Sequence, residues 1–190
     1  MNITVVILAL SLMLATAVLA AEKPAGVVGD GKADDTAAIQ KALDATAKTG
    51  GNLYLPPGKY LIAGSLTVPT GICLQGSWDM AHHGDWEHGS TLLITGGRGK
   101  EDGPAAIELS QSSAIRGFTM VWPEQKWDAI VPYPWAIHGQ GMHNTVENVT
   151  FVNAYKGIAI GAPNWSELHI IRNVFGCVLR RDVRGLTCSY

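Results

Sequence analysis

The sequence predicts an all-β chain wound as a right-handed parallel β-helix, a solenoid, with an α-helix capping its N-terminal end. Three observations carry that expectation. Gly and Pro supply 22 and 9 of 190 residues, and from residue 51 onward Gly, Pro and Asn separate short apolar stretches, the punctuation of strands joined by turns. A single helical stretch precedes them. Short aliphatic triplets then recur along the remaining chain at spacings of about 20 to 40 residues, the sign of stacked coils.

Composition narrows the function classes. With 47% hydrophobic residues the chain can bury a core, which excludes a disordered protein. No Gly-X-Y period is present, which excludes collagen. Fourteen Lys and Arg stand against sixteen Asp and Glu, a net charge of −2, so the basic excess of a phosphate-binding surface is missing and nucleic acid is not an expected partner.

Residues 1–20 are read as a signal peptide and 21–190 as the β-helix domain. Ile3 to Ala20 is uncharged and apolar, and Val18 and Ala20 place small residues before a cleavage point; Ala15-Thr16-Ala17 offers a second one. Met1-Asn2 lacks the usual basic residue, and an uncleaved anchor is the competing reading, since about 18 apolar residues just span a bilayer. Glu22-Lys23-Pro24 follows at once without a basic flank, which favours cleavage. The mature chain is then expected to be secreted or periplasmic, with no membrane partner. Cys73, Cys177 and Cys188 are odd in number and not spaced for a metal, and read as buried small hydrophobes rather than a disulfide framework.

The helix is expected at about 35–48. Asp34-Asp35-Thr36 supplies N-cap side chains, Ile39, Ala42, Leu43 and Ala47 recur at helical spacing, and Gly50-Gly51 ends the run. Coils follow over about 51–190. Asn52-Leu53-Tyr54-Leu55 runs into Pro56-Pro57-Gly58, and Tyr60-Leu61-Ile62 resumes strand character. One series of triplets reads Leu74-Gln75-Gly76, Ile115-Arg116-Gly117, Val146-Glu147-Asn148 and Ile171-Arg172-Asn173. A second reads Ile107-Glu108-Leu109, Ile137-His138-Gly139 and Ile158-Ala159-Ile160. The polar, Trp-rich stretch Trp78 to Gly89 lengthens one interval and reads as an insertion on one face.

Aligned coils place equivalent residues about 4.8 Å apart. Arg116, Glu147 and Arg172 should therefore form an outward row of alternating sign, whose plain role is strand register. Glu108 and His138 become outward neighbours, a candidate acid/base pair, with a solvated surface pair as the alternative. Asp30, Asp34, Asp35 and Thr36 are read as structural cap and turn residues, because an end coil exposes unpaired backbone and core; carboxylates also suit calcium, but their spacing is not that of a dedicated loop. Trp78, Trp86, Trp122 and Trp127 lie in polar or Pro-rich surroundings and are candidates for stacking on sugar rings, against loop packing as the alternative. His82, His83, Asp85 and His88 concentrate metal-capable side chains in one loop without a recognisable ligand spacing, so no metal is assigned.

The segment Gly29-Asp30-Gly31-Lys32-Ala33-Asp34-Asp35-Thr36-Ala37-Ala38-Ile39-Gln40-Lys41-Ala42-Leu43, with Gly50-Gly51-Asn52-Leu53-Tyr54-Leu55-Pro56-Pro57-Gly58-Lys59-Tyr60, resembles the opening of the pectate-lyase superfamily, most closely the rhamnogalacturonase/epimerase-like pectate lyase domain. Tyr133 to Ile137 and Asn144 to Tyr155 resemble the same group. The resemblance implies the single-stranded right-handed β-helix and an acidic plant-type or bacterial polysaccharide as partner. It leaves glycoside hydrolase, polysaccharide lyase and non-catalytic binding or tail-spike-like adhesion open, since one fold hosts all of them. A hydrolase needs two carboxylates across one bond, and the strands between 90 and 180 carry no clustered Asp pair. A lyase implies calcium; otherwise no cofactor is expected. The tail from Val178 to Tyr190 leaves the aliphatic-polar alternation, so the chain is expected to lack the later coils of such a family. It should then be silent on polygalacturonate and rhamnogalacturonan and associate through an uncapped end.

Overall fold

A computed structural model describes residues 21–79, 86–161 and 166–185, with side chains described as far as Arg180. The signal-peptide reading, His82, His83, Asp85 and Cys188 lie outside the described residues. No described helix is long and apolar enough to cross a membrane.

The chain begins with strand β1 (Asp30–Asp34) and the helix α1 (Thr36–Thr49). Strands β2 (Gly51–Leu55), β3 (Gly58–Ile62), β4 (Leu66–Val68), β5 (Ile72–Gly76), β6 (Ser90–Ile94) and β7 (Ile107–Leu109) follow. The remaining strands are β8 (Ala114–Val121), β9 (Trp135–Gly139), β10 (Thr145–Ile160) and β11 (Ile170–Gly185). Every pairing between these strands is parallel, and non-consecutive strands neighbour each other because each coil lies on the one before it.

The pairings sort into three stacks. The first holds β2, β5, the start of β8 and the first residues of β10 and β11. The second holds β1, β3, β6 and the continuation of β8, β10 and β11. The third holds β4, β7, β9 and the C-terminal parts of β10 and β11. The triplet alignment is reproduced residue for residue: Leu74 faces Ile115, Ile115 faces Val146 and Val146 faces Ile171, while Ile107 faces Ile137 and Ile137 faces Ile158. Leu74, Ile115, Val146, Ile107, Ile137 and Ile158 are all fully buried in one core cluster. Burial of each such side chain contributes about 1.5–3 kcal/mol.

The turn between the first and second stacks explains the Gly/Asn end of the triplets. Gly117, Asn148 and Asn173 sit there at φ of 78°, 54° and 51°, a region open to Gly and tolerated by Asn but strained for other residues. A Cβ on Gly76 would lie 2.5 Å from the Gly117 carbonyl oxygen, so successive coils need bare backbone at that corner. Asn173 Nδ2 donates to Asn148 Oδ1 at 3.1 Å, continuing the stack with side chains.

α1 buries Ile39 and Leu43 completely and packs against β2, β4 and β5. Its N-terminus differs from the expectation. Asp35 occupies the N-cap position without a side-chain cap bond, because its buried carboxylate turns back to the preceding segment and accepts the Val28 and Gly29 amides at 2.6 and 2.9 Å. Asp34 Oδ1 instead accepts the Thr36 amide and hydroxyl, and Thr36 Oγ1 accepts the Ala63 amide at 3.0 Å. Asp30 Oδ1 closes a tight turn on the amides of Lys32 and Ala33.

Outside the core, Leu61, Leu93, Val121 and Val152 form an apolar ladder on the outer face of the second stack, packed with Trp86. Trp86 therefore contributes cover for one face. Cys73 is buried, as expected, and burial pushes its thiol pKa up. Cys177 is exposed, a correction: among the described residues β11 pairs with a strand on one side, β10.

Candidate functional site

The third stack carries an open cleft of about 260 Å³, lined among others by Glu101, Glu108, Trp135, His138 and Lys156. Its floor follows from coil stacking. Glu108 on β7 and His138 on β9 are register partners, and each projects outward between buried neighbours: Ile107 and Leu109 for the first, Ile137 and Gly139 for the second. His138 Nδ1 lies 2.7 Å from Glu108 Oε2. Glu108 Oε1 also accepts the Ala105 amide at 2.7 Å, and Oε2 accepts Gln140 Nε2 at 3.3 Å.

These contacts set the protonation of the pair. Burial alone would raise the Glu108 carboxyl pKa, but the hydrogen bonds from His138, the Ala105 amide and Gln140 together hold it below the usual carboxylate range. An ionised carboxylate only accepts, so His138 carries its proton on Nδ1 and donates it. Nε2 has no protein partner among the described residues and faces the cleft that His138 lines. A carboxylate that fixes the tautomer in this way orients an imidazole as a base.

Lys156 and Trp135 stand on register-paired positions of β10 and β9. The Lys156 side chain is only 8% exposed, and its ammonium donates to the Glu101 carbonyl at 2.7 Å while lying 5.2 Å from the centre of the Trp135 ring. The Glu101 carboxylate, 3.7 Å from Lys156 Nζ, is 43% exposed and accepts the Tyr155 hydroxyl at 3.3 Å. A cation, a carboxylate-bound imidazole and a half-buried indole thus share one cleft.

The structure brings Glu108 and His138 together and distributes the other candidates elsewhere. Trp122 is a correction: it is 1% exposed and packs at 6.4 Å on Phe151, so its ring faces the core and offers no surface to a sugar. Trp78 is half-buried, stacks on Phe175 at 5.9 Å and donates Nε1 to Thr150 Oγ1. Trp86 lies on the apolar ladder with Lys59 Nζ 4.8 Å from its ring centre. Trp127 stands free at 82% exposure. His88 is exposed, and no metal-capable cluster of three His, Cys, Asp or Glu occurs among the described residues. Asp30, Asp34, Asp35 and Thr36 all bond backbone near the start of α1.

The ladder of the first stack has the expected order and partners. Glu147 sits between Arg116, at 3.3 Å, and Arg172, at 2.5 Å. Both arginines are about half exposed or more, so each pair contributes about 0–1 kcal/mol. It sits on a different face from the cleft.

Sequence reasoning did not find Lys156, Trp135 and Glu101 as site residues. Ala136 and Ile137 both enter the core, as do Ala106 and Ile107, so strict two-residue alternation fails just before the second triplet series. Counting by twos from His138 would put Trp135 inside. Extending the repeat alignment two residues upstream of Ile137 and Ile158, without assuming alternation, pairs Trp135 with Lys156 and is the available signal.

Residues 23–84 match the family described as rhamnogalacturonase A/epimerase, pectate lyase-like. Over 63 residues the chain is 43% identical to a mannuronan C5-epimerase of Azotobacter vinelandii, and over 43 residues 56% identical to an alginate lyase of the same organism. These matches cover 29% and 22% of the chain and span only 3% and 5% of the two relatives. Among solved structures, the A-module of an Azotobacter vinelandii mannuronan C-5 epimerase superposes with a TM-score of 0.57 at 22% identity, over 78% of this chain and 41% of that one. A surface adhesin of Streptococcus pneumoniae superposes with a TM-score of 0.52 at 23% identity, over 79% and 37%. At those identities the superpositions show the fold alone. With the family match at its opening and parallel coils along its length, the chain carries a pectate-lyase-like parallel β-helix domain.

Proposed function

We propose that the chain acts on an acidic polysaccharide of the uronate type, binding it in the third-stack cleft, with Lys156 receiving a sugar carboxylate, Trp135 packing on a ring face and His138 taking a proton from the bound residue. The observation that carries this reading is the 2.7 Å contact of His138 Nδ1 with Glu108 in a cleft that also holds a buried lysine. The relatives named for epimerisation of mannuronan and for lysis of alginate support this ligand class. In the same reading the coils wind right-handed, α1 caps the first of them, and the protein works outside the cytoplasm.

The proposed chemistry begins at the carbon next to the uronate carboxylate. His138 Nε2 takes the C5 proton, the electron pair moves into the carboxylate, and Lys156 stabilises the charge that gathers on its oxygens. Glu108 stabilises the imidazolium that results. Return of a proton to C5 from solvent completes an exchange without net loss of atoms. Inversion at C5 or expulsion of the 4-linked sugar would each need a further acid, which the described cleft does not assign.

The test is a mannuronate oligomer incubated with the protein in D2O, with binding followed by calorimetry and the C5 proton by NMR. Binding with slow loss of the C5 signal, abolished in His138→Gln, is the expected result. Binding without exchange would reduce the function to a polysaccharide-binding or adhesion module, the reading to which the streptococcal adhesin's fold lends weight. Absence of binding would overturn the assignment of the cleft.

A further inference from the structure

The buried ammonium of Lys156 does not wait empty. Glu101 engages it twice, with its carbonyl oxygen at 2.7 Å and its carboxylate at 3.7 Å, and the same carboxylate takes the Tyr155 hydroxyl at 3.3 Å. The two contacts differ in kind. The carbonyl is backbone, fixed by the course of the segment between β6 and β7. The carboxylate is on a half-exposed side chain, beyond ordinary hydrogen-bond reach of the cation, and free to rotate into solvent.

We propose that the Glu101 carboxylate, steadied by the Tyr155 hydroxyl, is an internal stand-in for the ligand's carboxylate, occupying the place beside Lys156 until an anionic sugar displaces it. This inference rests on the proposed uronate site and adds to it a residue that sets its selectivity. A neutral sugar offers hydroxyl acceptors but no negative charge to match the Lys156 ammonium, so it leaves Glu101 in place and the cleft partly filled. A uronate carboxylate replaces the contact to Lys156 and releases Glu101 to water, where its charge is hydrated. Asp102 and Glu108 also line the cleft, but Glu108 is committed to His138 and Glu101 is the carboxylate beside Lys156, so its departure frees the cation and removes one of the negative charges an incoming anion meets. The resulting site discriminates by exchange of one carboxylate for another, in the manner of specificity achieved by a built-in competitor.

The experiment compares wild type, Glu101→Gln and Lys156→Met by calorimetry against a mannuronate tetramer and the uncharged mannose tetramer of the same linkage. Glu101→Gln keeps the shape and weakens the competitor, and it should bind the uronate about threefold or more tightly, within the range that a partly exposed ion pair permits, while binding of the neutral tetramer is unchanged. Lys156→Met should lose the preference for the charged tetramer. Equal or weaker uronate binding by Glu101→Gln would overturn the stand-in role, since Glu101 would then be a ligand contact or inert. If wild type fails to bind the uronate and Glu101→Gln succeeds, the stand-in role holds in stronger form; if neither binds, the uronate site itself is refuted and this inference falls with it. Thermal melts keep the comparison clean, because a 43% exposed side chain should shift stability little.

Discussion

Asp35→Ala isolates what the opening motif does. The Asp35 carboxylate is 1% exposed and accepts two backbone amides, Val28 at 2.6 Å and Gly29 at 2.9 Å. Those amides belong to the segment entering β1, whose Gly29 carbonyl in turn accepts the Lys59 amide at 3.2 Å. One side chain therefore ties the start of α1 to the first paired coil. Hydrogen bonds to a charged group contribute about 1.5–3 kcal/mol each. Val28 is 47% exposed, so water can reach part of the vacated site, and the buried charge itself carries a desolvation cost that the substitution removes. Together these give an expected loss of about 2–4 kcal/mol, less than the sum of the two bonds. For a chain of this size that corresponds to roughly 5–15 °C in Tm. Urea denaturation followed by circular dichroism measures the loss, and calorimetry with a uronate oligomer should show affinity unchanged, since the cleft is on the third stack. A loss below about 0.5 kcal/mol, the range of an ordinary surface substitution, would refute the structural reading. So would loss of ligand binding with stability intact.

Other outcomes follow from the same geometry. Trp122→Ala should destabilise by about 3–5 kcal/mol, as removal of a core indole does, whereas Trp127→Ala should stay within about 0.5 kcal/mol of wild type in the same denaturation assay. His169 accepts the Asn144 amide on Nδ1 at 3.2 Å, and burial, with the nearby His143, lowers its pKa below 6.5. Its folded form is therefore held neutral, so stability present above pH 6.5 should fall as pH drops toward the depressed folded value; His169→Gln should flatten the stability profile in that window. Glu108, also depressed, acts lower: its contribution is present above its ordinary 4.5 and is lost as pH falls through the folded value, and Glu108→Gln should remove that acid-side slope. Arg172→Ala should cost about 1 kcal/mol or less despite its short contact to Glu147, measured by the same denaturation.

The fold was legible because coils repeat. Ile107, Ile137 and Ile158 can be aligned by eye, and the alignment fixes Glu108 beside His138 with no further information. The positive φ at Gly117, Asn148 and Asn173 explains why just those residue types close the first triplet series. The site was legible only where it obeyed the same alternation. Trp135 and Lys156 escaped because Ala136 and Ile137 are both inside, and Glu101 escaped because it reaches the cleft from a connection between β6 and β7 whose path no periodicity encodes. Trp122 misled for the opposite reason. Its neighbours Pro123, Glu124 and Lys126 read as a polar loop, yet Trp122 directly follows β8 and its amide still donates to the Val152 carbonyl at 3.1 Å, which carries the ring inward. Asp35 reads as a helix N-cap, but its carboxylate accepts the Val28 and Gly29 amides instead, since a carboxylate at a helix start can serve the preceding turn as readily as the helix itself.

The central claim is that the Glu108–His138 cleft receives an acidic sugar. The most direct measurement is long-range 1H–15N NMR of histidine side chains during titration with a mannuronate tetramer, assigned with His138→Gln. The His138 Nε2 resonance should move in a saturable way while Nδ1 keeps its proton and His143 and His169 stay in place. A His138 ring that remains unperturbed at saturation, or a response centred on His143 and His169 instead, would contradict it.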